Sequence, residues 1–258
     1  MYEDPASDQG LDRTAVRPSP KRSAPAGRDA QDPRRGQASF FARHERACLV
    51  ALPLSLWIFG YHGLNFLTWG RQVVHIDLAL DRAVPQVPLL IYVYSLAYPC
   101  CFIPAIVLSI ERVRLAVFAY SVTILASLAM FVWMPVEIVR PDPPPGSWGN
   151  WLVYLTRLVD QPFNCFPSLH VSLDFLSAFF CGLERPRLGA ALLVTSVAIS
   201  VSTLFVKQHY ALDVVAGFLM AALAFRLTLL DPVRRLMRGP SGTTRDGSAS
   251  TSPRPSAA

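Results

Sequence analysis

Charged residues are scarce in this chain: they make up 16% of its 258 residues, whereas 52% are hydrophobic. The apolar residues occur in runs of about the length that crosses a bilayer rather than in amphipathic stripes. This pattern excludes an ordinary soluble core. It predicts an all-α fold, namely a polytopic membrane helix bundle.

The chain also lacks the patterns of disulfide, zinc and nucleic-acid-binding proteins. Of its five cysteines, only Cys165 falls outside the apolar runs and their ends, so no disulfide framework is expected. No cluster of Cys and His has the spacing of zinc ligands, and we expect neither a metal nor another cofactor. No basic face with interleaved aromatic residues appears, so the net charge of +6 does not indicate a nucleic-acid partner.

The apolar runs predict about six transmembrane helices, of which the fourth is the shortest. Both flanking segments have little apolar content, and the first does not resemble the apolar core of a signal peptide. We therefore expect a disordered basic tail at 1–46, a six-span domain at 47–236 and a disordered tail at 237–258. The predicted spans are 47–69, 86–110, 115–138, 168–184, 188–206 and 209–230.

The placement of Lys and Arg predicts the orientation of these spans. In a six-span arrangement all but five of the 24 Lys and Arg residues lie on one side of the membrane. By the positive-inside rule that side is cytoplasmic, and it holds both termini. The expected location is a plasma-type membrane, such as the bacterial inner membrane. The five exceptions are Arg71, Arg82, Arg140, Arg157 and Lys207.

Polar residues that can bind a ligand or take part in catalysis lie on the opposite, extracytoplasmic face, each at the end of a predicted span. Ionisable groups at such places are costly to bury and indicate a functional site. Because the topology was inferred from Lys and Arg, the convergence of the other residues supports one shared site. The residues are Arg140, Ser168, His170, Lys207, His209 and Asp213.

His209 and Asp213 are four residues apart, which places them on one face of a helix. A carboxylate that accepts the Nδ1 proton leaves Nε2 free to attack a phosphorus atom. Ser168 follows a proline, where its hydroxyl can cap a helix or bind an anion, and His170 can deliver a proton. The alternative is a polar pair at the interface and a simple helix cap.

Three strings resemble the signature of the type 2 phosphatidic acid phosphatase superfamily, which reads Lys-x6-Arg-Pro, Pro-Ser-Gly-His and Ser-Arg-x5-His-x3-Asp. Arg140-Pro141 matches the end of the first motif, and Pro167-Ser168 with His170 matches the second. Ser202, His209 and Asp213 match the third in register. Trp133, Leu169 and Thr203 depart from the pattern, since they replace its Lys, Gly and Arg. With these departures the strings look like the branch of inositol phosphorylceramide synthase.

The resemblance implies a metal-independent membrane enzyme that acts on lipid phosphate esters through a phosphohistidine. His209 would be the nucleophile, Asp213 would orient it, and His170 would protonate the leaving group. The phosphate would be bound by Arg140, Ser168 and Lys207, the last of which would stand in for a missing cation of the motif. Water as acceptor makes a phosphatase, and an alcohol makes a head-group transferase. The resemblance does not indicate an oligomeric state.

Other residues are weaker candidates. Asp174 lies four residues after His170 and can position it or bind a polar acceptor, and Ser202 is a second supporting residue. Glu137 is expected to pair with Arg140, and residues 150–160 predict a short helix on the outer surface. A membrane transporter is a lower-ranked alternative, and a haem protein with His170 and His209 as axial ligands is a third.

Overall fold

The structure, a computed structural model, describes residues 33–68, 70–142, 146 and 148–237, with side chains from residue 44 onward. Most of the two predicted tails, at residues 1–32 and 238–258, lies outside these ranges. The chain divides into units at Met1–Arg43 and His44–Ala258, and the site and the cavities described below belong to the second.

The described residues are all helical apart from their connections. They contain no β-strand, and one isolated bridge joins Val74 to Val136. A π-helix at Leu56–Tyr61 follows the first helix, and a 3₁₀-helix at Pro88–Leu90 precedes the fourth. The α-helices are α1 (Pro33–Ser55), α2 (His62–Thr68), α3 (Ala79–Ala83), α4 (Ile91–Tyr94), α5 (Ala97–Cys100), α6 (Ile103–Val107), α7 (Ile110–Trp133), α8 (Trp148–Val159), α9 (Leu169–Glu184), α10 (Pro186–Phe205), α11 (Ala211–Thr228) and α12 (Asp231–Met237).

Four helical stretches in the described part of the chain are long and apolar enough to cross a membrane. They coincide with four of the six predicted spans, and the count of six stays a prediction. The first stretch runs from α1 through the π-helix and α2. The four are His44–Thr68, Ile110–Trp133, Pro186–Phe205 and Ala211–Thr228.

The predicted spans at 86–110 and 168–184 take other forms. The first is a series of short helices, α4 to α6, because Pro99 and Pro104 lack the backbone N–H that a continuous helix requires. The second is α9, which has only 16 residues. Helix α1 begins at Pro33, earlier than the predicted domain start at 47. Helix α8 confirms the predicted short helix near 150–160.

Helix α9 lies at the centre of the bundle, packed against α7, α10 and α11. Its contact with α11 includes a hydrogen bond from the Ser172 hydroxyl to Gly217 O at 2.9 Å. A side chain at Gly217 would place a Cβ only 2.6 Å from Ser168 O, so this approach requires glycine. The close approach brings the beginnings of α9 and α11 together.

Candidate functional site

The core of the site is the contact between His209 and Asp213. Tyr210 ends the connection after α10, so His209 precedes α11 and Asp213 occupies its first turn. The imidazole Nδ1 lies 3.3 Å from Asp213 Oδ2, and the same oxygen accepts the backbone N–H of Tyr210 at 2.8 Å. One carboxylate oxygen therefore caps the helix and orients the imidazole together.

The opposite nitrogen of His209 is available for chemistry. His209 Nε2 and Asp213 Oδ1 are buried and have no hydrogen-bond partner among the residues that the structure describes. A tautomer with the proton on Nδ1 places a lone pair on Nε2. This is the arrangement required of a nucleophilic imidazole with a carboxylate orienter.

His170 enters the site from the first turn of α9. The centroids of the His170 and His209 rings are 5.8 Å apart. The Nε2 of His170 lies 3.2 Å from the hydroxyl of Tyr94, and the ring of Tyr98 meets it edge-on at 5.6 Å. Two histidines from separate helices thus stand side by side, one with a free nitrogen and one beside a phenol.

Ser168 holds the two helix starts together. It is the N-cap of α9 and accepts the Val171 N–H at 3.4 Å. Its own backbone N–H donates to Asp213 O at 3.1 Å. Since Ser168 is fully buried, its cap fixes His170 relative to Asp213.

Arg140 is held by Asp160, at the residue that follows α8. Nη1 of Arg140 donates to Asp160 O at 2.5 Å, and Nη2 lies 3.8 Å from Asp160 Oδ2. The expected pairing of Arg140 with Glu137 is therefore wrong, because the end of α8 places a buried carboxylate closer to the guanidinium. The other oxygen of Asp160 accepts the hydroxyl of Tyr61 from the π-helix.

The sequence patterns did not indicate Asp160 or Tyr61 as site residues. Neither belongs to a matching motif, and no spacing links Tyr61 to a residue 99 positions away. Asp160 lies in the predicted surface segment 150–160 and not at the end of a predicted span, so a search for ionisable residues at span ends does not select it. Tyr61 lies within a predicted span and offers no signal either.

Lys207 lies two residues before His209, but its ammonium makes its hydrogen bonds elsewhere. It donates to the carbonyl oxygens of Asp81 and Val84 at 2.8 and 2.6 Å. Asp81 in turn accepts the N–H of Ala211 at 2.8 Å, which ties α3 to the start of α11. Partial burial lowers the pKa of Lys207, and nearby Asp81 opposes that effect. Binding of phosphate by Lys207 stays a prediction.

The two supporting residues differ in their surroundings. The hydroxyl of Ser202 donates to Ile199 O at 2.6 Å, inside its own helix. Asp174 lies one turn beyond His170, is 1% exposed and has no hydrogen-bond partner for either carboxylate oxygen among the described residues.

Two cavities of different character reach the two histidines. His209 borders a cavity of about 530 Å³ whose wall includes charged and polar side chains. His170 borders a much smaller cavity of about 30 Å³, which it shares with Asp174 and aromatic side chains. The wall of the larger cavity includes Asp77, Asp81, Arg82, Gln86, Lys207 and Tyr210. No group of three or more His, Cys, Asp or Glu within the described ranges is arranged to hold a metal ion.

Comparison with known proteins identifies the family of this constellation. The family model of the PAP2 superfamily, the type 2 phosphatidic acid phosphatases, matches residues 66–227. The match covers more than half of the chain and includes every residue of the site except Tyr61. No curated protein and no solved structure matches the chain.

Proposed function

The chain belongs to the PAP2 superfamily, whose members are phosphatases or phosphotransferases, and we propose that it transfers phosphoryl groups of lipid phosphate esters through a phosphohistidine at His209. The observation that carries this proposal is the buried and partner-free Nε2 of His209, whose Nδ1 lies against Asp213. An imidazole arranged in this way has no structural task that explains its free nitrogen.

In the first step, His209 Nε2 attacks phosphorus, and the bond from phosphorus to the ester oxygen breaks. His170, protonated, gives its proton to the departing alkoxide, so that a neutral alcohol leaves. Asp213 stabilises the positive charge that develops on the imidazole of His209. Its carboxylate accepts the hydrogen bond from Nδ1–H, and the proton stays on the imidazole.

In the second step, His170 takes a proton from water or from an alcohol, and the resulting oxygen attacks the phosphohistidine. The bond from phosphorus to Nε2 breaks and His209 returns to its starting state. Water yields a phosphate ion, and an alcohol yields a new ester. His170 thus alternates between acid and base.

Charge on the transferring group would be stabilised by fixed donors. Arg140 is the principal cation, held by Asp160, and Ser168 lies at the N-terminus of α9, where the helix dipole favours an anion. Because such donors serve the electrostatic purpose of a metal ion, the proposed reaction is metal-independent. Within the superfamily, Leu169 and the string Lys207 to Tyr210 favour a branch similar to inositol phosphorylceramide synthase.

The proposed setting is a six-span protein in a plasma-type membrane, such as the bacterial inner membrane, with both termini cytoplasmic and the site at the extracytoplasmic face. The broken helices α4 to α6 are compatible with a span, since irregular backbone at membrane depth is tolerated when it is buried in protein. The side of the membrane rests on the placement of Lys and Arg.

The experiment that tests this function uses the purified full-length chain and a panel of lipid phosphates, with and without inositol or glycerol. Lipid mass spectrometry follows the products. Free phosphate identifies a phosphatase, and a new phosphodiester identifies a transferase. His209→Ala should abolish both products, and EDTA should have little effect. Activity that survives in a folded His209→Ala variant contradicts the proposal.

A further inference from the structure

Asp174 is a buried carboxyl group that the proposed mechanism does not use. It is 1% exposed, and neither of its oxygens has a hydrogen-bond partner in the described part of the chain. Burial of a carboxyl group without a hydrogen-bond partner is unfavourable, even for its neutral form. A side chain retained at this cost indicates that a partner arrives with a ligand.

The cavity beside Asp174 limits the size of that partner. Its volume is about 30 Å³, which is space for roughly two water molecules. Trp57 and Tyr98 form aromatic walls, with ring centroids 6.4 Å apart, and His170 completes the wall. A hydroxyl group fits this space, whereas a cyclitol ring does not.

An apolar groove leads away from this cavity between α1, α6 and α7. The cavity and the groove share Trp57, Cys101 and Leu173. The remaining side chains along the groove are apolar almost throughout, and they include Val50, Leu54, Phe102, Val113, Val117 and Ile124. The groove has a volume of about 60 Å³, so it accommodates the part of an alkyl chain that adjoins a polar end group beside Asp174.

We propose that Asp174 is the binding residue for the hydroxyl of a long-chain lipid alcohol, whose alkyl chain lies in the groove between α1, α6 and α7. This inference rests on the proposed function, because it assigns the alcohol that is exchanged at His170. The buried carboxyl group is neutral, because burial disfavours its charged form, and it donates a hydrogen bond to the hydroxyl oxygen. The hydroxyl proton then remains free to reach the imidazole of His170. The polar cavity on the side of His209 remains for the phosphate and its polar substituents.

The same subsite serves both directions of the exchange. When the lipid alcohol leaves, the phosphorus–oxygen ester bond breaks, His170 donates its proton to the oxygen, and Asp174 binds the hydroxyl formed. When the alcohol acts as acceptor, its proton passes to His170, its oxygen bonds to phosphorus, and the bond from phosphorus to His209 Nε2 breaks. Asp174 therefore sets the preference for a lipid alcohol over water.

The test measures how the phosphohistidine divides between two acceptors. Full-length protein in detergent receives p-nitrophenyl phosphate as donor, since its small leaving group does not require the groove, together with 1-dodecanol, 1-butanol or inositol. The quantity measured is the ratio of alkyl or inositol phosphate to free phosphate. We expect dodecanol to give a ratio at least tenfold above that of butanol in the wild-type chain.

Asp174→Leu removes the hydrogen-bonding group and should lower the dodecanol ratio at least tenfold, whereas Asp174→Asn, whose amide can still donate to the hydroxyl oxygen, should be intermediate. Ser196→Ala, which removes a buried hydroxyl bonded only within α10, should leave the ratio unchanged. A wild-type ratio that does not depend on chain length, or that favours inositol, overturns the inference without any variant. A ratio unchanged in folded Asp174→Leu also overturns it.

Failure of the underlying function has a different signature. If His209→Ala still releases nitrophenol at the wild-type rate, the phosphohistidine account is wrong, and the inference falls with it. If the wild-type chain depends on His209 but shows no preference for dodecanol, only the role of Asp174 is refuted.

Discussion

The rings of His170 and His209 lie with their centroids 5.8 Å apart, although His170 lies in the first turn of α9 and His209 lies just before α11, beyond the whole of α10. The contact exists because Ser168 N donates to Asp213 O and because Gly217 permits close packing of α9 on α11. The catalytic geometry is therefore a direct product of helix packing, and several consequences can be measured.

Replacement of the orienting carboxylate should impair the reaction without loss of the fold. Asp213→Asn keeps the size of the side chain and an acceptor for Tyr210 N–H, but it removes the charge that stabilises the imidazolium. We expect kcat to fall roughly 10²–10⁴-fold. The measurement is phosphate release by the purified variant, with size-exclusion elution as the check on folding. Asp231→Asn, at the exposed start of α12, is the matched control. A kcat within a factor of two of wild type would refute the role of Asp213.

The Arg140–Asp160–Tyr61 contact should matter for stability and for activity. Asp160→Ala leaves the buried guanidinium without its counter-charge, which should lower the free energy of unfolding by about 3 kcal/mol. Tyr61→Phe removes one hydrogen bond to Asp160 and should cost about 1 kcal/mol. Thermal unfolding in detergent measures both effects.

The control for this pair is Tyr154→Phe, which changes an exposed phenol on α8. It should leave the unfolding temperature unchanged. If Tyr61→Phe unfolds at the same temperature as Tyr154→Phe, the hydrogen bond to Asp160 contributes nothing. Asp160→Ala should also lower the activity, because it displaces Arg140. The change in KM for the phosphate ester should be larger than the change in kcat.

The variant Lys207→Met tests whether Lys207 has a structural role or binds phosphate. Its ammonium holds the carbonyl oxygens of Asp81 and Val84, so Lys207→Met should lower the unfolding temperature and loosen the start of α11. In that case kcat falls, since His209 is misplaced. If Lys207 instead binds phosphate, Lys207→Met raises KM several-fold while the unfolding temperature stays constant. Parallel thermal and steady-state measurements separate the two outcomes.

Cys165 reports whether the segment before Ser168 is closed to water. Burial raises the pKa of the Cys165 thiol well above its usual range, so the thiol stays protonated through about pH 8.5, where an ordinary cysteine is half ionised. Since the thiolate is the nucleophile, we expect Cys165 to resist N-ethylmaleimide up to that pH. Chain unfolded in dodecyl sulfate is the control, because unfolding exposes Cys165 to the reagent. Peptide mass spectrometry that finds equal labelling of Cys165 in the folded and the unfolded chain would contradict the burial of this segment.

Much of the site could be predicted because its residues lie at helix ends with fixed spacing. The contact between His209 and Asp213 is predicted by their spacing of four residues, although His209 lies just before α11 and not within it. The partner of Arg140 could not be predicted, because Asp160 reaches it through a loop and the end of α8, where no periodicity applies. The fold shows the same division. The uninterrupted apolar runs at 115–138, 188–206 and 209–230 correspond to single helices, whereas the prolines within 86–110 divide that run into α4, α5 and α6.

The central claim is that His209 carries the phosphoryl group, and the most direct measurement is to trap it. Rapid quenching at high pH after mixing with p-nitrophenyl phosphate preserves a phosphohistidine, which acid then hydrolyses. We predict that peptide mass spectrometry finds one phosphoryl group on His209, that acid removes it, and that His209→Ala shows none. His170→Ala should still form the adduct from this good leaving group. A phosphoryl group on another residue, or full turnover by folded His209→Ala, would contradict the account.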